Sequence, residues 1–283
     1  MAGAVTGFAV ISPRLAVLLI GLALAAPGFG QTPAPMMDWQ YSTAEVLSTL
    51  DGPPPEWRNT FGPGISAQPA FMGAKRYQTL PSAIFDIRYK DEFFLSDAEG
   101  IGVNLLHEPG FRAGVGMGYD FGRNTHDDPR LRDLPNVSFA PEPKIFAQYF
   151  LFPLVLTATL RKGIGGNDGV VGDLGAYVPV PLTQDRTWLL FAGPSVTLAD
   201  RRYMNAYFGV APDSSRLSGL RSFEANGGFS SAGAGLTNFY LIGDHWLLEG
   251  DFAYRRFLGD AARSPVIETK IQTSVDFNVG YRF

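Results

Sequence analysis

The side chains in this sequence that could do acid–base or nucleophilic chemistry are three His residues and their acidic neighbours. His245 falls in the same alternating phase as Glu249 and Asp251, a spacing that could place an imidazole beside a carboxylate. Ser195 or Ser274 could then supply a nucleophilic hydroxyl, as in hydrolases that use a Ser-His-Asp triad. An exposed His at the end of a strand, beside a short turn, explains the same spacing more simply, and we favour it.

The rest of the composition excludes several kinds of chemistry. The chain has no Cys, which excludes disulfides, thiolate nucleophiles and Cys-ligated metals. His107 and His126 stand in connections without matched catalytic partners. The net charge of −4 argues against a nucleic-acid partner, because nucleic-acid binding needs clustered Lys and Arg. We therefore expect a protein that is not an enzyme and takes no cofactor.

Two loops have the composition of ligand-binding loops. Asn124–Asp133 is rich in Asp and could bind Ca²⁺ through oxygen ligands, but the Arg residues at 130 and 132 favour a solvated loop. Gly163–Gly169 resembles a phosphate-binding loop only in its glycine content, since no helix is predicted after it to offer amide donors. It predicts a tight turn. We therefore expect no metal site.

The elements that position these residues are strands, because a period of two dominates the chain. The pattern is clearest over 271–283, where Ile271, Val275 and Phe277 share one face with Tyr281 and Phe283. Several segments exceed the ~5–6 residues of an ordinary strand and match the ~9–11 of a tilted transmembrane strand. The other predicted strands lie near 57–67, 82–90, 100–106, 111–121, 137–151, 153–162, 170–182, 186–199, 229–242 and 245–255.

Alternation alone also fits a soluble β-sandwich or a lipocalin-like barrel. Aromatic residues near the strand ends and the alternation of short with long connections favour an outer-membrane barrel instead. The predicted fold is all-β, a transmembrane antiparallel up-and-down β-barrel of the bacterial outer membrane, with outer-membrane lipids as its surroundings. We expect about 12 strands if Trp39–Leu47 adds one, or 10 if one early segment is not a wall strand.

The chain divides into three parts. Residues 1–30 predict a signal peptide, because Arg14 precedes an apolar run that is too short for a transmembrane helix and is followed by small residues. Residues 31–55 form a Pro-rich segment that we interpret as a periplasmic lead-in. Residues 56–283 form the predicted barrel.

Charged residues on the polar strand faces leave two alternatives for the lumen. They could line a conducting pore, or they could pair across a closed lumen, which a small barrel favours. The connection 203–220 is too apolar for a solvated loop, so we expect it to be ordered. It could form a short helix over 202–208 or fold into the mouth and cap the bore.

The same connection carries a family resemblance. Residues 203–210 read Y-M-N-A-Y-F-G-V and 218–220 read S-G-L, which resembles the signature of the MipA/OmpV family. The later segments D-H-W at 244–246 and G-D-A-A-R-S-P-V at 259–266 are also similar to that family, and the chain closes with G-Y-R-F. The signature residues are Tyr203, Met204, Tyr207, Phe208, Gly209, Val210, Ser218, Gly219 and Leu220, and the C-terminal barrel signal is Tyr281 with Phe283.

The resemblance implies a non-enzymatic outer-membrane barrel. Its founding member is described as a scaffold that joins a murein-degrading transglycosylase to a murein synthase, so a cell-wall scaffold is the expected function. A narrow porin-like channel for small polar solutes, or an envelope-stress or adhesion barrel, is the alternative.

Overall fold

The computed structural model describes residues 56–126 and 128–283. The predicted signal peptide, the Pro-rich lead-in and the segment Trp39–Leu47 lie outside the described residues. The described chain forms one closed antiparallel barrel in which sequential strands pair and the first strand pairs with the last. Its strands are β1 (Trp57–Pro69), β2 (Tyr77–Tyr89), β3 (Phe93–Ser96), β4 (Gly100–Glu108), β5 (Phe111–Asp120), β6 (Ala140–Leu151), β7 (Leu154–Lys162), β8 (Val170–Pro181), β9 (Trp188–Ala199), β10 (Gly228–Ile242), β11 (Trp246–Phe257) and β12 (Ile271–Arg282).

The expected strand number of 12 is confirmed, but one member differs from the expectation. The structure completes the count with β3, which the sequence did not predict. This strand has only four residues, two of them adjacent Phe, so it offers no run of alternation to detect. Strand β2 also begins earlier than predicted and pairs with β1 along its whole length.

The two ends of the barrel differ in the length of their connections. The turn rim carries the short connections at 90–92, 109–110, 152–153, 182–187 and 243–245, together with the last residue of the chain. The loop rim carries the long connections at 70–76, 121–139, 163–169, 200–227 and 258–270. Two helices, α1 (Arg201–Phe208) and α2 (Pro212–Ser218), lie in the longest loop, and short 3₁₀ helices occupy Pro129–Leu131 and Ala261–Arg263. No helix of the described residues is long and apolar enough to span a membrane.

The outer face of the barrel is apolar, as the alternating pattern predicted. Aromatic pairs mark its two ends, such as Trp57 with Tyr89 at the turn rim (ring centroids 4.8 Å apart) and Tyr119 with Phe121 near the loop rim (5.0 Å). Between them the outward side chains form an apolar belt. Its exposed members are Ile65, Ile101, Val115, Met117, Ile145, Leu156, Leu160, Leu174, Val180, Leu236, Phe252, Val275 and Phe277.

Candidate functional site: a capped and filled lumen

Helix α1 closes the barrel at the loop rim. Asp200 starts it, because its carboxylate accepts a hydrogen bond from the backbone N–H of Tyr203 at 2.9 Å. The helix presents Tyr203, Met204, Tyr207 and Phe208 to the interior, and all four are buried. The predicted helix over 202–208 is therefore present, and it lies across the mouth of the barrel with its aromatic side chains turned inward.

Four contacts fix α1 to the loops and strands around it. The Tyr207 hydroxyl donates to Asp120 Oδ2 at 2.6 Å, and Arg123 Nη1 donates to the Tyr207 carbonyl at 2.7 Å. At the end of the helix, Ser264 Oγ donates to the carbonyl of Phe208 at 2.6 Å, while the Phe208 ring meets Phe257 edge-on at 5.7 Å. These contacts come from two strands and two connections, so the helix is held as a cap.

The remaining signature residues shape the chain after α1. Gly209 follows the helix where a Cβ would lie 2.6 Å from the carbonyl oxygen of Asn205, so a larger residue does not fit without a shift. Val210 is buried and exchanges backbone hydrogen bonds with Phe223. Gly219 ends α2 at φ +72°, next to Ser218, which donates to the Ser214 carbonyl, and Leu220 packs partly buried against an apolar cluster. The signature residues thus form part of the folded cap.

Burial in the cap changes the acidity of its polar side chains. The pKa of Tyr203 and of Tyr207 lies well above the ordinary value of 10, first because burial penalises the phenolate and then because Asp120 is close. Burial also lowers the pKa of Arg123 to about 10. The neutral phenols are therefore the forms compatible with the closed cap.

Beneath the cap, a network of buried ion pairs links β2, the β3–β4 turn and β5 on the lumen side of the wall. Arg88 binds Asp86 at 2.9 Å and Glu99 at 2.6 Å, and Arg112 binds the same Glu99 at 2.9 Å. The guanidinium of Arg112 also lies over the ring of Phe94 at 4.9 Å and over that of Phe146 at 4.8 Å. On β6, β7 and β8, nearer the loop rim, Arg161 pairs with Glu142 at 3.0 Å and with Asp173.

An apolar cluster spans the bore at the level of the β3–β4 turn. Ile84 of β2 and Ala98 of the turn are buried against inward side chains of four strands on the far side of the bore. The turn therefore bends into the lumen instead of continuing the wall. The sequence did not predict this cluster, which also contains Tyr177, Phe191, Phe239 and Leu247.

His245 is not brought together with the carboxylate candidates. The exposed His245 lies at the turn rim, where its ring stacks on Tyr281 at 5.3 Å. Glu249 is buried in the lumen and accepts a hydrogen bond from Asn278 at 3.0 Å, while Asp251 accepts one from Thr237 at 2.6 Å. Of the two hydroxyl candidates, Ser274 faces Ala253 and Ser195 faces Gly233 in the ladder.

Both candidate ligand loops make contacts within the fold. In Asn124–Asp133, Asp128 caps the 3₁₀ helix and pairs with Arg76 at 3.0 Å, and the described part of the chain contains no group of acidic or His residues arranged for a metal ion. Gly163–Gly169 packs against α1, since a Cβ on Gly169 would lie 2.4 Å from the Cβ of Tyr203. His126 makes a local contact with Asn124, and His107 is part of β4.

The C-terminal residues complete the barrel seam. Phe283 donates its backbone N–H to the carbonyl of Asn59 at 3.0 Å, and its ring lies 4.9 Å from that of Tyr281. Both rings join the aromatic residues of the turn rim.

The chain forms a closed antiparallel barrel with an apolar belt and two aromatic rims, and it has short turns at one end and long loops at the other. These features define the class of outer-membrane β-barrel proteins. The chain belongs to the MipA family, whose model, described as MltA-interacting protein MipA, matches residues 61–283. This confirms the family and the outer-membrane location expected from the sequence.

Two curated relatives are outer-membrane proteins. Outer membrane protein Omp26La of Vibrio anguillarum is 34% identical over 128 residues, which is 44% of this chain and 45% of the relative. Outer membrane protein OmpV of Vibrio cholerae serotype O1 is 36% identical over 93 residues, which is 33% of this chain and 35% of the relative. The matched part thus spans less than half the length of either relative.

Solved structures resemble the chain more distantly. Pseudomonas putida OprB has a TM-score of 0.38 and 10% identity, with 72% of this chain and 59% of that chain covered. OmpT of Vibrio cholerae has a TM-score of 0.36 and 8% identity, with 80% and 97% covered. At this level of similarity the functions of those proteins say nothing about this one.

Proposed function

We propose that this protein is a non-catalytic, non-conducting outer-membrane barrel that holds murein-processing enzymes at its periplasmic face. The partners would be a murein transglycosylase and a murein synthase. The observation that supports this best is the filled lumen, in which α1, the buried ion pairs and the apolar cluster around Ile84 occupy the bore. A general diffusion pore needs an open water-filled path.

The turn rim is the surface that would face the periplasm, because outer-membrane barrels place their short connections on that side. It presents exposed polar and charged side chains at Glu108, Asp185 and Asp244, and the ring of Phe152, which is 84% exposed. The family description, MltA-interacting protein, supports a protein partner on this side. Such a rim gives a partner both apolar and charged contacts.

Binding of a purified murein transglycosylase to the purified barrel tests the proposal. We expect binding by the wild type and at least a tenfold loss when Asp185 and Asp244 are changed together to Lys, because this reverses two exposed charges at the rim. Asp213→Lys on α2 is the matched control at the other end of the barrel, and it should bind like the wild type. Absence of wild-type binding, or an equal loss in the control, contradicts the proposal.

A narrow channel for small polar solutes is the second candidate. It is favoured by two buried polar atoms without a hydrogen-bond partner, Asp251 Oδ2 and Arg255 Nη2, which suggest that water enters parts of the lumen. Conductance distinguishes the two functions, since a scaffold barrel does not require ion flow.

A further inference from the structure

The end of the bore at the turn rim is lined by arginine–carboxylate pairs. We call this end the turn-rim mouth, where Arg58 of β1 and Arg282 of β12 are inward residues. The carboxylates of these pairs already have a guanidinium as their counter-ion. The pairs join Arg58 to Asp91 at 2.8 Å, Arg88 to Asp86 at 2.9 Å and to Glu99 at 2.6 Å, and Arg112 to Glu99 at 2.9 Å.

Arg282 differs from these arginines because it has no counter-ion of its own. It is partly buried and lies opposite Thr60 across the seam between β12 and β1. Among the described residues its guanidinium forms no hydrogen bond and no ion pair, and this includes the terminal carboxylate of Phe283. Arg282 is therefore a partly buried cation whose hydrogen-bond donors are unused.

A second guanidinium stands close to that of Arg282. Because Thr60 lies opposite Arg282, Arg58 is a diagonal neighbour on the same face, with its Cα about 7–8 Å away. The acid that acts on Arg282 is Asp86, and Arg88 already holds it through both carboxylate oxygens, at 2.9 and 3.0 Å. Since guanidinium groups bind carboxylates through two parallel hydrogen bonds, the turn-rim mouth has the chemistry of a carboxylate-binding site.

Residues 31–55, which we call the acidic segment, have the complementary charge. They contain Asp38, Glu45 and Asp51 and no Lys, Arg or His. Each of the three side chains can offer a carboxylate to a guanidinium at neutral pH. The acidic segment is thus a source of the missing counter-ion within the same chain.

The acidic segment also joins the barrel at the turn-rim mouth. Glu56, the residue after it, accepts a hydrogen bond at its carbonyl from the backbone N–H of Lys90 in the β2–β3 turn, at 2.9 Å. Asp51 precedes Arg58 by seven residues, so at ~3.6 Å per residue it stays within about 25 Å of Arg58. Such a short link keeps the carboxylates near the mouth at an effective concentration of about millimolar, which favours them over an acid of a separate protein.

We propose that the acidic segment docks at the turn-rim mouth and covers it, with a carboxylate of the segment bound to the guanidinium of Arg282. Asp51 is the nearest of these carboxylates along the chain. Docking supplies the counter-ion that Arg282 lacks, and it closes this end of the bore with the chain's own residues. An acidic side chain of a second protein is the other occupant that the test must exclude. The inference uses only this chain and is independent of any murein enzyme.

A fluorophore on Ser48→Cys reports docking, because the natural chain has no Cys to compete for the label. The purified barrel with its acidic segment is labelled in detergent, and collisional quenching by uncharged acrylamide measures the exposure of the label. We expect weak quenching in this parent barrel and a several-fold increase in Arg282→Glu. Arg186→Glu is the matched control, since Arg186 is exposed at the same rim in the connection 182–187, and it should quench like the parent.

An exchange of charges separates docking from a purely structural role of Arg282. Changing Asp38, Glu45 and Asp51 together to Lys should raise quenching several-fold in the parent barrel, because the segment then repels the mouth. The same three changes should restore weak quenching in Arg282→Glu. The Lys variant leaves the barrel residues unchanged, so it tests the proposal even if Arg282→Glu fails to assemble.

Strong quenching in the parent barrel, equal to that in Arg282→Glu, overturns the proposal and leaves the guanidinium to an acid of another protein. Weak quenching that neither Arg282→Glu nor the Lys variant raises overturns the assignment of Arg282. Failure of the exchanged charges to restore weak quenching contradicts the pairing in the same way.

Discussion

The change Phe208→Ala tests whether α1 is a packed cap. Phe208 is 1% exposed and lies against Phe257, within a cluster that includes Met204 and Ala261. Removing a buried Phe side chain from a packed core costs about 3–5 kcal/mol. Because α1 is joined to the barrel through loops, this cost should fall on the opening of the cap and leave the strand pairing intact.

The expected effect is large enough to measure by hydrogen exchange. At about 1.4 kcal/mol per tenfold, the loss of about 3–5 kcal/mol raises the open population of the cap by about two to four orders of magnitude. Exchange of the backbone amides of α1 in the detergent-solubilised protein should accelerate accordingly, whereas amides of β10 and β11 should not change.

Leu217→Ala on α2 is the control, since Leu217 is 73% exposed and its truncation should leave exchange within error of the wild type. Unchanged exchange of α1 in Phe208→Ala would show that the helix is not held by its apolar face. Equal acceleration in the strands would show that cap and barrel unfold as one unit.

Three further predictions concern pH, the lumen and catalysis. The pKa of Tyr203 and Tyr207 is raised in the folded chain, so the stabilisation that these two phenols give the cap is complete below pH ~10 and is lost at higher pH. Exchange of the α1 amides should therefore accelerate above pH ~10, and Tyr207→Phe should weaken this pH dependence. Arg112→Ala leaves Glu99 with one partner fewer in a buried network and should destabilise the barrel by about 3–5 kcal/mol, which heat-modifiability gels would detect. Arg201→Ala breaks the exposed pair with Glu224 and should cost at most about 1 kcal/mol. His245→Ala should leave the phospholipid composition of the outer membrane unchanged, and the loss of a lipase or acyltransferase activity on this single change would refute the absence of catalysis.

Much of the wall could be predicted from the sequence, because membrane strands are long and their side chains alternate between an apolar outer face and a polar inner face. Residues 271–283 show the pattern without interruption, and β12 occupies 271–282. Strand β3 could not be predicted in this way, because four residues contain only two repeats of the pattern.

The cap was partly visible in the sequence, and a closed lumen was one of its two alternatives, but the apolar cluster across the bore was not predicted. The aromatic residues at 203, 207 and 208 are too apolar for a solvated loop, and their spacing suits one face of a helix. Ile84, Tyr177 and Phe191 stand in the inward phase of their strands, where the sequence predicted mainly charged and polar groups. Their meeting across the bore depends on the inward bend of the β3–β4 turn, which no local pattern contains.

The central claim, a barrel closed along its bore, is tested most directly by single-channel recording of the purified protein in planar bilayers. We expect no stable conducting steps in the wild type. Deletion of Arg201–Leu220 should also leave the barrel closed, because the ion pairs of Arg88 and the cluster around Ile84 remain beneath the cap. Stable open steps of porin size in the wild-type protein would contradict the account.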